Sequence, residues 1–161
     1  MQQKEYHFIY EEYASDAELE TVDRHLLEKA REATQHAYAP YSRFSVGAAA
    51  LLKNGEIVAG ANQENASFPA GICAERVLLS TVASLYPGIP ILAIAISYFN
   101  EQGPASQPIS PCGICRQSLQ EFETRTRQPI RLILGGQTGP VFIIPYSGSL
   151  LPIAFVADDL L

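Results

Sequence analysis

Residues 73–76 read Cys-Ala-Glu-Arg, and residues 111–116 read Pro-Cys-Gly-Ile-Cys-Arg. These two segments contain all three cysteines of a chain of 161 residues. A catalytic zinc ion is held by three protein ligands, and its fourth position stays open for water. Glu75 is placed to move a proton of that water without binding the metal. The two segments therefore predict a catalytic zinc site with the ligands Cys73, Cys112 and Cys115.

Both cysteine segments are predicted to begin helices. Cys112 and Cys115 stand three positions apart, so their sulfurs share one helix face. Ser110 is the expected N-cap of this helix, with Pro111 in its first turn. Two helix amino termini that meet at the cysteines favour their thiolate form.

Two arginines are candidates for balancing the negative charge of three thiolates. Arg76 lies one helical turn after Cys73 and is expected to donate to the sulfurs. Arg116 either acts in the same way or forms a salt bridge on the surface.

A structural zinc site is the main alternative interpretation of the three cysteines. Such sites are closed by four ligands, and the chain has no fourth cysteine. The three histidines all lie in the N-terminal quarter of the chain, where their neighbours favour exposed positions: His7, His25 and His36. We therefore expect a catalytic ion.

The composition opposes several other classes of function. Seventeen acidic residues against eleven basic ones give a net charge of −6, which opposes binding to a phosphate backbone. Three cysteines cannot form a closed disulfide framework, so a reducing compartment is expected. The N-terminus lacks the apolar core of a signal peptide, and the longest apolar run, 89–96, is too short to span a membrane. These features predict a cytoplasmic protein that binds neither nucleic acid nor membrane.

The order of predicted elements favours a mixed α/β fold. Residues 1–20 form an N-terminal extension whose alternating aromatic residues indicate either an edge strand or a tail. The remaining residues, 21–161, are expected to form one domain. Apolar periodicity and turn residues predict helices over 21–38, from 73 to 85 and after 110, and strands over 44–52, 57–61, 91–98, 130–134 and 141–144.

These strands predict a mixed five-stranded sheet. The turn Asn54-Gly55 makes the first two strands an antiparallel hairpin, with positive φ expected at both turn residues. The second, third and fourth strands should run parallel, because helices connect them. The last two strands have a link too short for a crossover and must be antiparallel or not adjacent. Both metal-bearing helices then start at the carboxyl ends of parallel strands, where α/β sheets bind ligands.

The chain also resembles a known family, the small cytidine deaminases. The resemblance covers about residues 21 to 160 and rests on these segments: Tyr-Ala-Pro-Tyr-Ser at 38–42, Phe-Ser-Val-Gly-Ala-Ala at 44–49, Asn-Gln-Glu-Asn-Ala-Ser at 62–67, Cys-Ala-Glu-Arg at 73–76, Ser-Pro-Cys-Gly-Ile-Cys-Arg-Gln at 110–117 and Leu-Leu-Pro-Ile-Ala-Phe at 150–155. The arrangement of cysteines and glutamate is a pattern already known from zinc-dependent deaminases.

The resemblance implies a three-layer α/β/α fold, one Zn²⁺ per subunit and a homotetramer with composite active sites. It implies that the three cysteines bind zinc and that Glu75 carries protons. Five further residues would bind the substrate: Phe44 by stacking on the pyrimidine, Asn62 and Glu64 through the ribose 3′-hydroxyl, Ala74 through its backbone, and Phe155 in the pocket of a neighbouring subunit. Phe68 departs from the family, because many relatives carry a tyrosine there.

The implied reaction is hydrolytic deamination of cytidine and 2′-deoxycytidine to the uridines with release of ammonia, as in pyrimidine salvage. Two alternatives stay open. One is a deaminase for another substrate, such as a nucleoside antibiotic or a base within RNA, and the other is a zinc-stabilised interaction module without activity. Asn62 and Glu64 favour a free ribose, and the acidic charge opposes RNA.

Overall fold

A computed structural model describes residues 1–160, so Leu161, the last residue of the predicted domain, lies outside the described residues. The helices and strands follow one another along the chain as β1 Glu11–Tyr13, α1 Thr21–Ala33, β2 Phe44–Leu52, β3 Ile57–Ala61, α2 Ala74–Leu85, β4 Ile91–Asn100, α3 Gly113–Thr126, β5 Arg131–Gly135 and β6 Val141–Ile144.

The strands form one mixed sheet in the order β1-β6-β5-β4-β2-β3. Strand β2 is antiparallel to both β3 and β4, β4 and β5 are parallel, and β5 and β6 are antiparallel. This arrangement confirms the mixed sheet with its antiparallel first and last pairs. It also means that β3, β4 and β5 run in the same direction, as predicted, although β2 separates β3 from β4.

The predicted count of five strands is wrong, because the N-terminal extension adds a sixth. Strand β1 pairs with β6 through Glu11, Glu12 and Tyr13. The extension thus contains a short edge strand, which begins after the alternating aromatic residues at positions 6, 8 and 10. Their side chains instead pack beside the edge strand, as Tyr10 does against Phe142 with ring centroids 4.9 Å apart.

The sheet lies between two helical layers. Helix α1 packs on one face, where Leu26, Leu27 and Ala30 meet Ala95 and Ile133. Helices α2 and α3 cover the other face, with Leu78, Val82 and Leu119 over a second cluster of buried strand residues. The three-layer α/β/α fold is thus confirmed, and burial of these two apolar surfaces holds the layers together.

Glycines in the strands allow the helices to approach the sheet closely. A Cβ at Gly60 of β3 would lie 2.6 Å from the backbone nitrogen of Leu78 in α2, and one at Gly47 of β2 would overlap the Ala30 carbonyl. Real side-chain carbons do not approach backbone atoms so closely. These glycines therefore set the distance between the helices and the sheet, including that of α2, which begins beside the first cysteine.

Three details of the predicted elements are corrected. Helix α1 ends at Ala33 and continues only as the short 3₁₀ helix Thr34–His36. In the hairpin turn Gly55 has a positive φ of 88° and Asn54 does not, because the turn is closed by the Gly55 N–H donating to the Leu52 carbonyl. Helix α3 has Cys112, not Ser110, at its N-cap position.

Because β3 and β4 run in the same direction, α2 and α3 begin at the same edge of the sheet. This edge holds the loop after β3 and the long loop between β4 and α3, and it carries the site described below. Within residues 1–160, no helix is both long and apolar enough to cross a membrane.

Candidate active site

The three cysteine sulfurs form one cluster at the amino-terminal ends of α2 and α3. The Sγ atoms of Cys73 and Cys112 are 3.7 Å apart, those of Cys112 and Cys115 are 3.4 Å apart, and all three lie within 4.8 Å of one another. Three sulfurs bound tetrahedrally to zinc at about 2.3 Å would be about 3.8 Å apart. The spacing of these atoms and their soft thiolate chemistry therefore fit a zinc ion.

The helix termini position two of these sulfurs. Cys73 and Cys112 have extended backbones and occupy the N-cap positions of α2 and α3, while Cys115 lies in the first turn of α3 and is buried. Free N–H groups and the positive ends of two helix dipoles thus point toward the cluster. This field favours negative charge on the sulfurs.

The thiols also influence one another. The pKa of Cys73 is lowered to about 6, chiefly because the Cys115 thiol stabilises its thiolate by hydrogen bonding, with Cys112 and the charge of Arg76 acting in the same direction. The pKa of Cys115 is raised, because its proton is engaged with Cys73 and because it is buried. In the metal-free chain the first negative charge of the cluster therefore lies on Cys73.

Glu75 lies in the first turn of α2, beside the cluster, and only 5% of its surface is exposed. Burial raises the pKa of this carboxyl, and the neighbouring charge of Cys73 raises it further. A carboxyl whose pKa is moved toward neutrality can both accept and release a proton during one reaction. This is the property that a proton carrier requires.

A cavity of about 390 Å³ opens onto these groups. Its walls bring together six of the predicted site residues: Asn62, Glu64, Cys73, Ala74, Glu75 and Cys112. A volume of this size suits a small organic molecule. A larger cavity of about 540 Å³ lies between α2, α3 and the C-terminal segment, but none of the three cysteines lines it.

Asn62 and Glu64 are held by the backbone around the cavity. The Asn62 Oδ1 accepts from the Val46 N–H at 2.7 Å. One oxygen of Glu64 accepts from the N–H groups of Tyr41 and Ser42 at 2.9 and 3.3 Å, and hydrogen bonding with Ser42 has the largest effect in lowering the pKa of Glu64. Glu64 is therefore an ionised acceptor with one oxygen left for a ligand.

Two predicted substrate-binding residues lie outside this cavity in the single chain. Phe44 stacks on Tyr98, with ring centroids 4.8 Å apart and an interplanar angle of 19°. Phe155 is exposed, lines the larger cavity, and accepts a hydrogen bond at its carbonyl from Gln117 at 2.8 Å. For Phe44 or Phe155 to contact a substrate in this cavity, either its side chain would have to move or it would have to reach the cavity of a second subunit.

The structure adds residues to the cavity that the motifs did not identify as substrate contacts: Val46, Ile72, Ile109, Ser110 and Phe68. Ser110 was expected to cap α3 but is instead exposed on the cavity wall. In the sequence, the position of Ser110 two residues before the metal ligand Cys112 was the feature that could have identified it as a cavity residue. Phe68 also packs edge-on against Tyr41, with ring centroids 6.0 Å apart.

The two arginines have different environments. Arg76 acts on Cys73 through its charge, as the lowered pKa of that thiol reflects; among residues 1–160 its side chain makes no hydrogen bond to a sulfur, so the predicted donation is not observed. Arg116 donates to two backbone carbonyls, those of Pro111 at 2.9 Å and Leu150 at 3.1 Å. Arg116 therefore forms neither of the two predicted contacts, which were a contact to the sulfurs and a salt bridge on the surface.

Comparisons with known proteins agree with this geometry. Residues 20–128 match the family model described as the cytidine and deoxycytidylate deaminase zinc-binding region. A cytidine deaminase of Halalkalibacterium halodurans is 40% identical over 140 residues, which are 86% of this chain and 98% of the relative. A cytidine deaminase of Mycobacterium tuberculosis is 37% identical over 143 residues, covering 86% of this chain and 94% of the relative.

A solved structure supports the same assignment. The cytidine deaminase of Burkholderia pseudomallei superposes with a TM-score of 0.70 at 38% identity, covering 81% of this chain and 97% of that one. The zinc-binding region of the family and the three-sulfur cluster together confirm the predicted zinc cofactor. The chain belongs to the family of zinc-dependent cytidine and deoxycytidylate deaminases.

Proposed function

We propose that this chain hydrolyses cytidine and 2′-deoxycytidine to uridine and 2′-deoxyuridine with release of ammonia. The observation that carries the proposal is the buried carboxyl of Glu75, which shares one cavity with two cysteines of the sulfur cluster and with two polar residues suited to a ribose. The relatives and the solved structure, which are named as cytidine deaminases, support the same substrate class.

In this proposal Cys73, Cys112 and Cys115 hold the ion. A bound zinc ion supplies Lewis-acid chemistry that makes a water molecule more acidic. Glu75 takes one proton of the attacking water and gives it to N3 of the ring as the water oxygen bonds to C4. Glu75 then carries the second proton to the N4 amine. The C4–N4 bond breaks, ammonia leaves, and C4 keeps the oxygen as a carbonyl.

The remaining predicted residues orient the nucleoside. The free oxygen of Glu64 and the second amide hydrogen of Asn62 are suited to the 3′-hydroxyl, since their other groups are engaged by the backbone. Ala74 contacts the base through its backbone, and Phe44 and Phe155 add aromatic contacts. Arg76 disperses the charge of the thiolates.

The test combines metal analysis with an absorbance assay on cytidine, 2′-deoxycytidine and a single-stranded RNA. We expect one zinc per chain, turnover of both nucleosides and none of the RNA. Glu75→Gln should keep its zinc and lose about 10²- to 10⁴-fold in kcat, the usual contribution of a general acid–base group. A zinc-loaded wild-type protein that leaves both nucleosides unchanged would contradict the substrate assignment. A variant with full turnover would contradict the role of Glu75.

We further propose that residues 21–161 form the catalytic domain, with 1–20 as an extension, and that four copies assemble so that Phe155 of one subunit reaches the site of another. The exposure of Phe155 in the single chain supports this. Sedimentation should give the mass of a tetramer, and Phe155→Ala should reduce turnover without removing zinc.

A cytoplasmic location is proposed on the basis of the three free cysteines, since ligand thiols persist where disulfides do not form. Fractionation of cells that express the chain, with a cytosolic marker protein as reference, tests this location.

A further inference from the structure

The N-terminal extension contacts the turn that follows β6. The matched family region begins at residue 20, so residues 1–19 of the extension lie outside it. Strand β1 pairs with β6, and before it Phe8 and Tyr10 stack with ring centroids 5.8 Å apart. Further toward the N-terminus, the Tyr6 hydroxyl donates to the Ser149 carbonyl at 2.7 Å.

Ser149 belongs to a turn that is tied to the start of α3. This turn is the short 3₁₀ helix Ser147–Leu150. The carbonyl of Leu150 accepts from the Arg116 guanidinium at 3.1 Å, and the same guanidinium donates through Nε to the carbonyl of Pro111 at 2.9 Å. Pro111 is bonded directly to Cys112. A continuous path of hydrogen bonds and covalent links therefore joins Tyr6 to a cysteine of the cluster.

The turn itself is rigidly held. Glu123 accepts from the N–H and hydroxyl of Ser147 at 3.0 and 2.8 Å and from the N–H of Gly148 at 3.2 Å. The Ser147–Leu150 turn is thus held in place by Glu123, and Arg116 links Pro111 to it by donating to both the Pro111 and the Leu150 carbonyls. The Tyr6 hydroxyl donates to the same turn, at the Ser149 carbonyl.

A cavity separates the N-terminal extension from the start of α3. A cavity of about 510 Å³ lies between the extension, the sheet and the start of α3, with Tyr6, Tyr10, Arg116, Phe142 and Leu150 among its walls. Where side chains do not fill the space between two segments, the polar links carry the connection. Pro111 is itself buried, and the carbonyl of Cys112 accepts from the backbone N–H of Arg116 at 2.9 Å, so the Arg116 side chain adds to contacts that already hold this segment.

We propose that Tyr6 and Arg116 are positioning residues for the metal centre, and that the N-terminal extension thereby slows the loss of zinc. This inference rests on the proposed zinc function of the three cysteines. Arg116 holds the backbone next to Cys112 directly, whereas Tyr6 acts through the Ser147–Leu150 turn. The effect of Arg116 should therefore be larger than that of Tyr6.

The experiment measures the rate at which the full-length zinc-loaded protein releases zinc to a coloured chelator. Tyr6→Phe removes only the hydroxyl that donates to Ser149. Tyr10→Phe is the matched control, since Tyr10 lies in the same extension and its hydroxyl forms no hydrogen bond within residues 1–160. Arg116→Gln removes the guanidinium that donates to the Pro111 and Leu150 carbonyls. Arg116→Lys keeps the positive charge but cannot donate to both carbonyls in the geometry of a guanidinium.

We expect zinc release about threefold faster in Tyr6→Phe, in line with the loss of one hydrogen bond, and no change in Tyr10→Phe. Arg116→Gln should release zinc at least about tenfold faster, as is usual for groups that support metal ligands, and Arg116→Lys should fall between it and the wild type. The KM for cytidine should stay unchanged in both Tyr6→Phe and Arg116→Lys, and excess zinc should restore kcat.

Equal release rates in Tyr6→Phe and Tyr10→Phe would overturn the inference, even if Arg116→Gln fails to fold. A raised KM with unchanged zinc release would also overturn it, because that result places the effect on the substrate. A wild-type protein that binds no zinc would instead refute the proposed function, and this inference with it.

Discussion

The side-chain amide of Asn62 donates to the carbonyl of Phe44 at 3.0 Å, so two residues predicted to bind substrate also hold each other. The Asn62 oxygen accepts from the N–H of Val46. The side chain of Asn62, which directly follows β3, is thus joined to the first residues of β2 by two hydrogen bonds. An amide group has two N–H donors, so one remains free for a ligand.

Replacing Asn62 with alanine should therefore affect both stability and substrate binding. The N–H of Val46 would lose its partner, and the free energy of unfolding should fall by about 1–3 kcal/mol. The preference of the enzyme for cytidine over 3′-deoxycytidine, measured as a ratio of kcat/KM, should become smaller because one contact to the 3′-hydroxyl is gone. An unchanged preference in the variant would show that Asn62 has only the structural role.

Arg76→Gln should weaken zinc binding by raising the pKa of Cys73. The charge of Arg76 helps to lower this pKa to about 6, and neutral glutamine removes that contribution. In the zinc-free protein, the pH profile of Cys73 alkylation should move to higher pH, and zinc affinity should drop by about tenfold. Arg76→Lys keeps the charge and should lie close to the wild type in the alkylation profile. If the pH profiles of Cys73 alkylation are identical in Arg76→Gln and the wild type, Arg76 does not stabilise the Cys73 thiolate through its charge.

Glu75→Gln should stabilise the zinc-free protein at neutral and higher pH. Burial raises the pKa of this carboxyl, so the folded chain holds the proton to a higher pH than the unfolded chain does. The free energy of unfolding therefore falls as pH rises between the two pKa values. Glutamine has no such dependence.

Thermal unfolding measures this difference. The Tm of Glu75→Gln should exceed that of the wild type at pH 8 and approach it at pH 4, with each kcal/mol corresponding to about 2–4 °C for a chain of this size. Glu121→Gln, on the exposed side of α3, is the control and should show no such pH-dependent difference. A gap in Tm that widens toward low pH would contradict the sign of this prediction.

Asp23 and Arg131 join α1 to β5, and breaking this pair should be costly. Arg131 donates from both terminal nitrogens to the carboxylate of Asp23, one contact being 2.7 Å, and Asp23 is only 4% exposed. Asp23→Asn should lower the free energy of unfolding by about 2–4 kcal/mol, somewhat less than for a fully buried pair, because Arg131 keeps partial contact with water.

Urea denaturation with a matched surface pair checks this prediction. Lys29 and Glu32 form an exposed ion pair at 2.7 Å on the same helix, and Glu32→Gln should change stability by less than about 1 kcal/mol. Similar losses in the two variants would mean that burial adds nothing to the Asp23–Arg131 pair.

Much of the fold was predictable because its signals are local. Strands β2, β3 and β6 and helix α2 lie where the apolar patterns and turns indicated. The misplaced start of α3 has a specific cause. Ser110 and Pro111 have the composition of a helix start, but the Arg116 side chain occupies the Pro111 carbonyl, and the first helical hydrogen bond is accepted by Cys112. Cys112 keeps an extended backbone, with φ −69° and ψ 169°, so the helix begins only after it.

The number and type of the residues in two short segments, three cysteines and one glutamate, were sufficient to indicate the metal, its open position and the proton carrier, although Cys73 meets Cys112, 39 residues away, only in the folded chain. Long-range packing was needed to show that Phe44 rests on Tyr98, that Arg116 reaches Leu150, and that the N-terminal extension adds a strand beside β6. Those partners are distant in sequence and meet only through the strand order of the sheet. No local pattern encodes such an order, since it follows from the joint burial of apolar surfaces contributed by the whole chain.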